Sequence, residues 1–237
     1  MNKKLIYLIA VIAICVTACS SNSEDTQATP SQSNSLIVQG KEFANAHNEC
    51  LANIYDAIVF SKTRVSNNKS FSKDDIIKAA NKYIAKHNSK TRVNGNMSYI
   101  TVENYTTTTE DIRNKMSDNE TNYIDRILSD NVDNEQILNE IANDKKLTED
   151  KKRAIICFAT TYNASTEYWQ QNIEKWQKIS ESTPTTRARA SSHFKFNVRE
   201  VATADAYWGY TGMLASGLNW IVGAGAAAAG SAFACLK

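Results

Sequence analysis

From Leu36 onward, apolar positions recur at intervals of three and four. Phe43, His47, Cys50 with Leu51, Ile54, and Ala57 with Ile58 line one face of a helix. Ser72-Lys73-Asp74-Asp75 reads as an N-cap with an acidic first turn, and Ile76, Ile77, Ala80, Tyr83 and Ile84 continue as a second amphipathic helix. The period then breaks in "SKTRVNGNMSYITVENYTTTT". This stretch holds a turn-like Asn94-Gly95 and a β-leaning "SYITVENY". One short strand with no clear partner makes no sheet, so the stretch is read as an extended loop.

Thr109 precedes a short helix with Ile112 and Met116. Ser117-Asp118-Asn119-Glu120 is a capping box ahead of Tyr123, Ile124, Ile127 and Leu128. Asp133-Asn134-Glu135-Gln136 opens another helix, with Ile137, Leu138 and Ile141. Thr148-Glu149-Asp150 caps what reads as the longest helix, running to about Ser180. Its stripe is Ile155, Phe158, Tyr162, Ser165, Trp169, Ile173, Trp176 and Ile179. The chain's two prolines, Pro30 and Pro184, fall outside all of these segments. The pattern predicts an all-α fold: an irregular multi-helix bundle with one long helix and a Gly/Ala-rich C-terminal helix or helical hairpin.

That C-terminal region, "AYWGYTGMLASGLNWIVGAGAAAAGSAFACLK", carries no charge from Ala206 until Lys237. Small residues recur every fourth position, Gly212 with Ser216, and Ala226, Gly230 and Ala234 in line. Gly223, Ala227 and Ser231 form a parallel row. Such rows flatten a helix face and admit close approach. The segment resembles the glycine-zipper segments of bacterial envelope proteins and the small-residue helices of membrane-permeabilising bacteriocins. Its candidate helix-packing or membrane face is Gly212, Ser216, Gly223, Ala226, Gly230 and Ala234. Isolated glycines cost a helix about 1 kcal/mol each against alanine, which favours a helix packed against the long aromatic one over a free segment. A membrane-interacting segment is the alternative, with Tyr207, Trp208, Tyr210 and Trp220 as interface anchors.

The other end has a different pattern. Lys3 and Lys4 precede an apolar run from Leu5 to Val16, and then Val16-Thr17-Ala18-Cys19. This resembles the lipobox of bacterial lipoprotein precursors. The resemblance implies cleavage before Cys19 and lipidation of its sulfur and amine. Ser20 after the cysteine resembles an outer-membrane address, and Glu24 with Asp25 resembles a surface-export tag. Two or three acyl chains would hold such a protein stably on a membrane. The expected organisation is a signal peptide at 1–18, a flexible tether with the lipidated cysteine at 19–35, and a helical domain at 36–180. A linker at 181–197 and the apolar tail at 198–237, packed on the helical domain, complete it. A polar coil of about sixteen residues reaches roughly 20–25 Å.

Charge and cysteine content narrow the function. Of 27 basic residues, two leave with the leader, so 25 face 25 acidic ones. A neutral balance speaks against nucleic acid as a partner. The region from Lys41 to Val102 is nevertheless base-rich and that from Glu103 to Arg153 acid-rich. This gives two solvated faces or a polarised surface for a protein partner. Cys15 leaves with the leader, and Cys50, Cys157 and Cys235 remain in an oxidising compartment. One disulfide and one free thiol is the simplest arithmetic; sequence does not choose among the three pairings, and Cys50–Cys157 is preferred because both lie on apolar helix stripes, with three buried free thiols as the alternative.

No recognisable active-site motif stands out: HExxH, CxxC, P-loop and Gly-x-Ser-x-Gly are absent, and no SxxK supports a hydrolase. His47 and Cys50, at i and i+3, could begin a metal site or a thiol–imidazole pair, but on an apolar stripe they read as packed residues. No cofactor and no metal are expected. The expected function is therefore a non-enzymatic, lipid-anchored envelope lipoprotein with a partner-binding or structural helical domain. The alternative is a membrane-active, bacteriocin-like factor that works through the tail.

Overall fold

The computed structural model describes residues 32–64, 72–88, 108–129, 134–181, 197–215 and 219–235. Eight helices occur among the described residues. They are α1 (Gln32–Arg64), α2 (Lys73–Asn88), α3 (Thr109–Arg113), α4 (Asp118–Ile127), α5 (Asn134–Asn143), α6 (Glu149–Glu181), α7 (Val198–Ala215) and α8 (Trp220–Cys235). No strand occurs among these residues, and the fold is all-helical. The leader, Cys19 and the segment "SYITVENY" lie outside the described residues.

Two helices, α1 and α6, share the length of 33 residues, about 50 Å each. α1 begins four residues before Leu36, in the stretch read as tether. Its first turn is polar: Asn34 and Ser35 are exposed, and Gln39 donates back to Ser35 Oγ at 3.3 Å. Leu36 is its first buried anchor. Gly40 packs on Ile156 and Thr160, Asn48 donates to the Ala164 carbonyl at 3.0 Å, and Tyr55 meets Trp176 edge-on at 5.4 Å. The contacts ascend together along both helices, so α1 and α6 run parallel.

Caps set the shorter helices. Ser72 and Asp75 exchange side-chain-to-backbone bonds at the start of α2. Thr108, rather than Thr109, is the N-cap of α3, in a capping box with Asp111. Ser117 and Glu120 form the capping box of α4. α7 runs antiparallel to α6, with Tyr207 on Phe158 and Tyr210 beside Lys151. α8 returns antiparallel along α7, Gly223 meeting Gly212 and Gly230 meeting Trp208. Phe43 of α1 and Ile84 of α2 approach α8 at Gly223 and Gly225.

α8 thus sits among α1, α2 and α7. From Ile221 to Phe233 every residue is buried except Ala226, which is half-buried. A helix that is apolar on all sides has to be covered on all sides, by protein or by lipid. Here protein covers it. No helix among the described residues is long and apolar enough to cross a membrane.

Cys50 and Cys157 are free thiols, both buried, so the disulfide expected from sequence is not formed. The parallel register explains why. Cys157 lies at the level of Gly40, while Cys50 lies near the level of Ala164. Ten residues of helix separate Gly40 from Cys50, roughly 15 Å of rise, against a bridgeable Cα separation of under about 7 Å. Each thiol packs as a small apolar group, and burial pushes both well above the usual thiol range.

Candidate functional site: a buried polar cluster

Where α1, α6, α7 and α8 meet, five polar side chains converge. His47 comes from the apolar face of α1, and Ser165 and Trp169 from adjacent turns of α6. Asp205 comes from α7 and Ser231 from α8. All five have zero exposure. Trp169 Nε1 donates to Asp205 Oδ2 at 2.9 Å, Ser165 Oγ donates to the same oxygen, and Ser231 Oγ donates to Asp205 Oδ1. His47 Nε2 lies 3.3 Å from Ser231 Oγ and 3.7 Å from Asp205 Oδ2. On the far side of the ring, Nδ1 lies 3.0 Å from Asn48 Oδ1. The Asn48 amide is oriented by its own donation to Ala164.

Burial dominates the electrostatics. It raises Asp205 above the usual carboxylate range even though His47, Ser165, Ser231 and Trp169 all pull the other way. It lowers His47, against the pull of Asp205 and of Asn48. Both groups are thereby pushed towards their neutral forms.

A second polar node joins α4, α6 and α7. Glu120, 3% exposed, accepts from Ser117 N at 3.0 Å and Ser117 Oγ at 2.7 Å as the third residue of the capping box. It also receives Lys151 Nζ at 2.8 Å and the hydroxyl of Tyr210. Burial alone would raise Glu120. Lys151, Tyr210 and Ser117 overcome it and hold the carboxylate at about 2. Tyr210 is raised by burial and by Glu120, the reverse of an activated phenol.

The central cluster has a bond pattern known from nucleophilic catalysis: a hydroxyl beside an imidazole nitrogen, with the other nitrogen oriented by a polar group. Its placement opposes that chemistry. Ser231 is fully enclosed, and its oxygen is already engaged with Asp205 and within 2.9 Å of the Ala227 carbonyl. What the arrangement can do is fasten four helices at one point and hold a proton there.

The residues singled out from sequence fall as follows. His47 joins the cluster, while Cys50 packs apart from it in the core. Gly212 and Gly223 meet across the α7–α8 contact, and Gly230 lies under the Trp208 ring. Ala226 is half-buried. Ser216 and the side chain of Ala234 lie outside the described residues. No group of three or more His, Cys, Asp or Glu side chains among the described residues is placed to hold a metal ion. Sequence reasoning passed over Asp205, Trp169 and Glu120 as polar anchors. The available signal was Asp205, an acid flanked by Val201, Ala202 and Ala206 at the edge of a charge-free run. No known protein family, curated protein or solved structure matches the chain.

Proposed function

We propose that the chain is a lipid-anchored lipoprotein of the bacterial envelope, addressed to the outer membrane, whose helical body is a non-enzymatic structural or partner-binding module. The address rests on the leader: Lys3 and Lys4, the run from Leu5 to Val16, and Cys19 after Ala18. The reading of the body is carried by one observation. Its densest set of reactive side chains, His47, Ser165, Asp205 and Ser231, has zero exposure and is engaged in joining helices. Charges on the outside are left for contact with a partner. Labelling of cells with a fatty-acid precursor tests the address. Label is expected on the protein and lost with Cys19→Ala; label that persists in the variant refutes it.

A second reading is favoured by the charge-free run from Ala206 to Leu236, in which the tail acts on membranes. In this fold α8 would first have to leave α1, α2 and α7. Dye release from vesicles decides between the two. A structural role predicts no release by the protein, nor by a peptide of residues 198–237. Release by the peptide at low micromolar concentration supports the membrane-active role.

A further inference from the structure

We propose that Asp205, Ser231 and His47 form a proton-sharing clasp that keeps α8 seated in the bundle through an acid swing. The hydrogen-bond inventory supports it. Asp205 Oδ2 already accepts from Ser165 and Trp169, so the exchange runs through Oδ1, Ser231 Oγ and His47 Nε2. Asn48 presents its oxygen to Nδ1, which therefore carries hydrogen in either state.

Two proton arrangements satisfy every one of these atoms. In the first, a neutral Asp205 donates from Oδ1 to Ser231 Oγ, and Ser231 donates to Nε2 of a neutral His47. In the second, the Asp205 proton has passed to Ser231 Oγ and the Ser231 proton to Nε2. This leaves a carboxylate and an imidazolium with Ser231 unchanged. Net charge is zero in both, and one proton belongs to the set. A second proton would leave an enclosed positive charge, and loss of the first an enclosed negative one; both are costly at zero exposure.

The groups acting on this set come from every element around it. Asn48 lies on the histidine's own helix, Ser165 and Trp169 on α6, and Ser231 on α8. The charged partner of His47 is Asp205 on α7, and that of Asp205 is His47 on α1. Burial moves the two in opposite directions, so their effects on stability oppose. A lowered His47 contributes stability that is present above its ordinary 6.5 and lost as pH falls through its lowered value. A raised Asp205 contributes stability that is present below its ordinary 3.8 and lost as pH rises through its raised value. Wherever between these ordinary values both shifts act, the slopes compensate. A buried histidine alone would loosen α8 on acidification; paired through Ser231, it does not.

Urea unfolding of the full chain across that pH window tests the clasp. Comparison among variants removes the contributions of all other groups. Asp205→Asn leaves the histidine slope alone, so its midpoint should fall, relative to the parent, as pH drops. His47→Gln leaves the acid slope alone, so its midpoint should fall as pH rises. The limit for either is about a tenfold change in the unfolding constant per pH unit. The double variant should run parallel to the parent. A parent that runs parallel to Asp205→Asn overturns the proposal. Should a variant not fold, nitrogen-15 histidine spectra of the parent decide. A His47 ring that keeps Nδ1–H and shows no titration through the window is expected, and protonation with a midpoint near the ordinary histidine value contradicts it.

Discussion

Ser165 and Thr161 sit one turn apart on α6, both with zero exposure, and differ in what their hydroxyls meet. Ser165 donates to the Asp205 carboxyl, whereas Thr161 Oγ1 has no hydrogen-bond partner. Removing a donor to a buried acid costs about 1.5–3 kcal/mol, whereas removing an unpaired buried hydroxyl recovers its desolvation penalty. Chemical denaturation should therefore show Ser165→Ala destabilised by about 2 kcal/mol and Thr161→Val stabilised by about 1 kcal/mol. At this scale the sequence was only partly legible. His47 lay on a recognisable stripe, but its partners Asp205 and Ser231 are 158 and 184 positions away in chain numbering. No local period links such residues. The one local signal, the isolated acid Asp205 in an otherwise apolar context, was passed over.

Between elements, backbone proximity and capping decide the packing. A Cβ added at Gly212 would stand 2.8 Å from the Gly223 carbonyl oxygen and 2.9 Å from its Cα. Backbone atoms of a packed helix cannot yield as a side-chain tip can. Gly212→Ala should therefore destabilise by about 1–3 kcal/mol through overpacking, although alanine is the better helix former by about 1 kcal/mol. Thermal unfolding checks the sign.

Glu120 gives the corresponding pH effect. Its lowered value means its stabilisation is fully present above its ordinary 4.5 and is lost as pH falls towards about 2. Glu120→Gln should flatten that acid limb of the stability curve, measured as denaturant midpoint against pH. Helix starts were legible because Ser117 with Glu120 is a local signal. The second role of Glu120 was not legible, since Lys151 and Tyr210 arrive from α6 and α7. The beginning of α1 was missed for the same reason in reverse. Gln32 to Ser35 are polar and look like tether, yet they belong to a helix that carries on into the buried Leu36.

For the whole molecule, helical periodicity and two well-placed prolines made the all-α class readable. The expected Cys50–Cys157 bridge failed because cysteine arithmetic says nothing about register, and register puts the two thiols at different levels of a parallel helix pair. The fate of the tail was undetermined for a physical reason: a helix that is apolar on every side satisfies protein and lipid equally. In this fold tertiary partners enclose it, with Gly212, Phe43, Ile84 and Trp208 each against a glycine of α8. Hydrogen–deuterium exchange of the intact protein tests this enclosure most directly. Amides from Ile221 to Phe233 should be among the slowest to exchange, matching the middle of α6 and opening only with global unfolding. Exchange over that stretch as fast as at the exposed first turn of α1 would contradict the account.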